Sequence, residues 1–126
     1  MDALIVSPRE EVWKNLAADF MALNWQAAIV PDLPSALGRI KAGAPALLIL
    51  DPPEESADPA ALRKMLIEVL MVNASVQTAV VSGMEEAAFH DAMEGLGVLM
   101  RITDPPQADD LKNLNRAWAE VAALSA

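Results

Sequence analysis

The chain has 126 residues, enough to bury one hydrophobic core, and its 18 acidic against 9 basic side chains give a net charge of −9. That balance argues against nucleic acid or anionic membrane as a partner, since both are bound chiefly through Lys and Arg facing phosphates, and it favours a protein or a small ligand. The absence of cysteine and the presence of a single histidine, His90, exclude disulfides, thiolate chemistry and a His-based metal cluster within the chain.

The first apolar run, "ALIV" (3–6), is a predicted strand, and the amphipathic stretch after Pro8 predicts a helix over 9–23. "QAAIV" (26–30) follows as a second strand, then a helix over 34–42 with Pro34 at its start and Gly43 just past its end. "ALLIL" (46–50) is the third strand, and its helix, over 59–72, starts at Pro59. "TAVV" (78–81) and a helix over 85–95 come next. "VLMRI" (98–102), preceded by Gly97, and a helix over 107–124 complete the chain. The runs are continuous where a half-exposed strand would alternate, as expected of strands covered on both faces of a parallel sheet. With right-handed crossovers, the expectation is an α/β fold: one (βα)5 domain spanning residues 1–126, a doubly wound, flavodoxin-like five-stranded sheet. No basic segment followed by an apolar one opens the chain, and no apolar run approaches the roughly 18 residues of a membrane span, so a soluble, cytoplasmic protein is expected.

Ligands of doubly wound sheets sit at the carboxyl ends of the strands, which directs attention to the residues just after each run. These are Ser7 and Pro8, Pro31 and Asp32, Asp51, Ser82 and Gly83, and Thr103 with Asp104. Taken alone, Asp51 reads as a cap of the turn that follows, and Ser82 as a cap of the helix that carries Glu85 and Glu86 in its first turn. His90, between Phe89 and Asp91, reads as an exposed helical residue.

In order and spacing, "LLILD" ending in Asp51, "AVVSG" with Ser82, "RITDPP" with Asp104 and Pro105, and "DLPSAL" (32–37) together resemble the receiver domain of two-component response regulators, over essentially the whole chain. The resemblance implies that Asp51 stands at the phosphoacceptor position, with Ser7, Pro8, Ser82, Arg101 and Asp104 at the family's other site positions. It also implies departures. The acids that hold magnesium after the first strand in the family are Ser7 and Pro8 here, and a hydroxyl and a proline cannot replace two carboxylates. The family's lysine after the fifth strand is Asp104, which adds negative charge beside Asp51. Arg101 stands where an aromatic residue is usual. It is expected, as one of two readings, to turn inward and pair with Asp51 or Asp104; the other reading points it to solvent. The loop "PPEESADP" lacks glycine, and Pro52 removes a backbone N–H beside the acid.

The helix over 59–72 is more apolar than one buried face requires. At about 100° per residue, Leu62, Met65, Leu66, Val69 and Val72 form one stripe, and Ile67 and Met71 fall on the other side as candidate partner-binding residues. The resemblance also implies a possible homodimer through the fourth helix, fifth strand and fifth helix. Trp118, in the apolar stripe of the last helix, and Trp13 and Trp25 read as core.

The expected function is that of a stand-alone, receiver-like signalling module, not an enzyme, that works by protein–protein contact without competent phosphorylation at Asp51. It would need no cofactor, and its partner would be a histidine kinase or another signalling protein. A first alternative is a genuine phosphoacceptor at Asp51 that would require magnesium. A second is a small-ligand binder at the carboxyl end of the sheet, disfavoured by the lack of a Gly-rich phosphate loop after any strand.

Overall fold

The computed structural model describes residues 1–125. Five strands form one parallel sheet in the order β2-β1-β3-β4-β5: β1 Asp2–Val6, β2 Gln26–Val30, β3 Leu47–Leu50, β4 Gln77–Val81 and β5 Val98–Ile102. The α/β, doubly wound, flavodoxin-like architecture expected from the alternation of runs is the one observed. The helices are α1 Glu10–Lys14, α2 Ala17–Ala22, α3 Leu33–Ala42, α4 Pro59–Val72, α5 Glu86–Ala92 and α6 Ala108–Ser125, with a 3₁₀ turn at Glu54–Ser56.

Strand alternation sorts the core into two layers. Leu4, Val6, Leu48, Leu50 and Val80 face α3, α4 and α5, while Ala3, Ile5, Leu47, Ile49 and Ala79 face α1, α2 and α6. The central strand β3 is buried along its whole length, which is why "LLIL" contains no polar residue. Each fully buried aliphatic side chain there contributes on the order of 1.5 to 3 kcal/mol through the hydrophobic effect.

Two predicted helices differ from those observed. The one predicted over 9–23 breaks into α1 and α2, because the Leu16 N–H bonds to the Trp13 carbonyl at 3.0 Å, an i to i−3 contact that tightens the turn. Trp13, Leu16 and Phe20, spaced as one helical stripe, all enter the same layer across the break, with the Trp13 and Phe20 rings 6.4 Å apart. Helix α5 ends at Ala92, short of the predicted residue 95, and the chain turns through Gly95 and Gly97, both at positive φ, where a side chain would be strained. Trp25 and Trp118 meet edge to face at 5.2 Å. Trp13 and Trp25 are buried, as expected; Trp118 is only partly so.

Helix starts fix the loops at the carboxyl end of the sheet. Asp32 caps α3 by accepting the Ser35 N–H at 2.9 Å, and Asp58 caps α4 by accepting that of Ala61 at 3.0 Å. Asp110, in the first turn of α6, reaches back to the Gln107 N–H at 2.8 Å and also takes the Thr103 hydroxyl at 2.6 Å. These bonds tie down the segment that carries Asp104. Among the described residues, no helix is long and apolar enough to cross a membrane.

Candidate functional site

Asp51 follows β3 directly, and its backbone N–H continues the sheet by bonding to the Val6 carbonyl at 2.8 Å. The residue is 2% exposed. A buried carboxylate is costly unless paired and hydrogen-bonded, and here both conditions are met. Oδ2 accepts three bonds, from the Ser7 hydroxyl at 2.7 Å, the Trp13 indole N–H at 3.0 Å and Arg9 Nε at 3.0 Å. Oδ1 accepts Arg9 Nη2 at 2.8 Å. The guanidinium therefore grips the carboxylate through two parallel bonds, the fork geometry that only arginine offers. Its remaining arm, Nη1, reaches Asp104 Oδ1 at 3.0 Å.

One arginine thus joins two acids that otherwise repel. Hydrogen bonding to Asp51, opposed by partial desolvation and reinforced by both carboxylates, holds the Arg9 guanidinium above its ordinary pKa, so the bridging group is a cation at neutral pH. Ser7 positions it: its Oγ accepts the Arg9 N–H at 2.9 Å while donating to Asp51. The Arg9 side chain is 36% exposed and lines an open crevice of about 520 Å³, together with Pro8, Glu54, Ser82 and Asp104.

The charge balance inferred from sequence holds, but the cation is a different residue. Arg101 does not reach Asp51 or Asp104. Its Nε pairs with Glu86 Oε2 at 3.1 Å and its Nη1 donates to the Ser82 carbonyl at 2.9 Å. The reason is strand parity: Ile102 enters the layer that holds Trp13, so Arg101 projects from the opposite face, toward α5. Leu99 is an extra residue at an irregularity where Thr78 pairs with Val98 but Ala79 pairs with Met100. Ser82 is buried and borders the crevice, but its Oγ accepts the Met84 N–H at 3.1 Å. It is a turn contact two residues on and not the helix cap expected of the residue read alone: α5 starts only at Glu86, with Glu85 as its N-cap and no side chain capping it.

Arg9 and Trp13 were not singled out as site residues. Arg9 carries a signal nonetheless: it is the residue before α1, where the helix dipole disfavours a cation, and no side chain caps that end. A basic residue in that place is favoured by an external carboxylate. Trp13 carries no such signal, because an indole in an apolar stripe looks the same whether or not its N–H has a buried partner.

No family model matches the chain, and no curated protein matches it in sequence. Solved structures do match. The signal receiver domain of a putative LuxO repressor protein from Vibrio parahaemolyticus aligns with a TM-score of 0.79 over 98% of this chain and 93% of its own, at 17% identity. The chain has the receiver fold. Two further structures agree on this: a two-component response regulator from Clostridium difficile (TM-score 0.75, 12% identity, 95% of this chain and 96% of that one) and a CheY-like protein, TadZ, from Pseudomonas aeruginosa (TM-score 0.70, 12% identity, 94% and 92%). Within the receiver fold Asp51 occupies the end of the central strand, and the crevice beside it opens at the carboxyl rim of the sheet.

Proposed function

We propose that this chain is a receiver-like signalling module, not an enzyme, whose phosphoacceptor position is permanently satisfied by an internal cation and which signals by protein contact. The observation that carries this reading is the Arg9 guanidinium, bonded to both oxygens of Asp51 and to Asp104. Phosphoryl transfer needs a free carboxylate oxygen and a cation able to bridge it to the incoming group. Here Oδ2 already accepts three donors, and Oδ1 faces a guanidinium nitrogen.

The residues around Asp51 fit no magnesium ion. Magnesium wants several oxygen ligands in near-octahedral array, and the loop after β1 supplies a hydroxyl, a proline and a competing positive charge. Among the described residues, no three acidic or histidine side chains converge as a metal site. Titrating the protein with beryllofluoride and magnesium, a mimic of aspartyl phosphate, is expected to leave the amide resonances around Asp51 unmoved. A saturable, magnesium-dependent adduct at Asp51 would establish the phosphoacceptor alternative in its place.

Contact with a signalling partner such as a histidine kinase is assigned to α4. Ile67 and Met71 are 45% and 82% exposed, one turn apart, while Leu62, Leu66 and Val69 of the same helix are buried. Replacing both by Ser should change stability by no more than about 0.5 kcal/mol, as exposed substitutions usually do, and should release a partner that the parent chain retains. Retention of the same partner at the same strength by the double variant would remove the patch from the proposal.

A further inference from the structure

A second cavity, of about 200 Å³, lies at the carboxyl end of the sheet beside the Arg9 crevice, with Asp51 in the wall between them. It sits where the strand order reverses, between β1 and β3, the point at which doubly wound sheets form ligand crevices. Its body is apolar: Val6 and Leu50 from the strand ends, Leu33 from α3 and Met65 from α4. A cavity of about 150 Å³ with similar lining is large enough for a benzene ring, so one ring or a short branched chain fits.

No side chain in the cavity lining is a hydrogen-bond donor. Pro8, Pro31 and Pro53 line it from the loops after β1, β2 and β3, and proline has no N–H. The first turn of α3 has few donors to offer beyond the Leu33 N–H. Pro34 has no amide hydrogen, the Ser35 N–H is taken by Asp32 Oδ1 at 2.9 Å, and the Ala36 N–H bonds to the Asp32 carbonyl at 3.3 Å. The side chains with polar atoms in the lining are both aspartates, Asp32 and Asp51. Asp51 is consumed by Arg9, Ser7 and Trp13, whereas Asp32 is exposed and uses Oδ1 for its cap. Hydrogen bonding from Ser35 holds the Asp32 carboxyl below the ordinary aspartate range, so it is an anion at neutral pH and loses its charge only as pH falls through that lowered value.

We propose that this cavity binds a small organic cation with a compact apolar body, its ring or branched chain among Val6, Leu33, Leu50 and Met65 and its ammonium group at the Asp32 carboxylate. The site goes beyond the contact role above and does not depend on it. Phosphates, nucleotides and carboxylates are disfavoured because their charge would face the Asp32 carboxylate with no cationic side chain in the lining.

The test is a methyl-detected NMR titration of the full chain with benzylamine, benzyl alcohol and benzoate at neutral pH. Benzylamine should shift the methyls of Val6, Leu33, Leu50 and Met65 in a saturable way and bind at least about tenfold more tightly than benzoate, the discrimination expected where one acid faces the ligand's charge. Asp32→Asn keeps the helix cap, since Asn caps as well as Asp, and should bring benzylamine down to the affinity of benzyl alcohol. Met65→Trp, which fills the cavity, should abolish all three. The proposal is overturned if benzylamine leaves these methyls unmoved, if its shifts fall instead around Glu54 and Asp104, if benzoate or benzyl alcohol binds as well, or if Asp32→Asn binds benzylamine as the parent does. Should Met65→Trp fail to fold, the Asp32→Asn comparison decides alone.

Discussion

Arg9→Ala is expected to lower stability by about 2 to 3 kcal/mol, measured by urea unfolding at neutral pH. Breaking a buried ion pair from one side typically costs about 3 to 5 kcal/mol, because the partner charge is stranded. The lower figure reflects two facts: Arg9 is 36% exposed, so solvent screens part of the loss, and Ser7 and Trp13 continue to donate to Asp51. The cost should be strongly non-additive with loss of the acid. Once Asp51→Asn has removed the buried charge, adding Arg9→Ala should cost less than about 1 kcal/mol. Equal costs in the two backgrounds would mean that the Arg9 and Asp51 charges do not interact.

Trp13→Ala is expected to be more damaging, at about 3 to 5 kcal/mol, the usual range for removing a large buried aromatic side chain. Trp13 is 1% exposed, packs against Phe20 and donates to Asp51. Trp13→Phe separates the contributions: it keeps most of the packing and removes one donor, and should cost about 1 to 2 kcal/mol. If Trp13→Phe unfolds the protein as readily as Trp13→Ala, the indole N–H outweighs the packing and the core argument is reversed.

The fold was legible because continuous aliphatic runs such as "ALLIL" leave few alternatives to a parallel sheet, and the spacing between them admits only helices. The position of Asp51 was equally legible, as were the two faces of α4, since each follows from period alone. That the repulsion between Asp51 and Asp104 must be relieved, by a cation, a proton or distance, followed from electrostatics, but the identity of the cation did not. Arg101 is near Asp104 in sequence and Arg9 is not, and proximity along the chain is a poor guide when a parallel sheet brings the ends of β1, β3 and β5 to one rim. Strand parity could have excluded Arg101; an irregularity such as that at Leu99, which no pattern of residue types announces, makes parity along β5 hard to read in advance. The donor-poor cavity was out of reach for another reason. Pro8, Pro31 and Pro53 look like turn residues in three separate loops until the sheet gathers them.

The cation at Asp51 differs from a metal ion in one respect that concerns supply. A divalent ion leaves its ligands by mass action when its free concentration falls, and a chelator can remove it. Arg9 is tethered through Ser7 and Pro8 to the strand beside Asp51, so its local concentration is set by chain geometry and no dialysis can lower it. The counter-charge to Asp51 is consequently inherited at translation, one cation per polypeptide, whatever the metal-ion supply of the compartment the protein occupies.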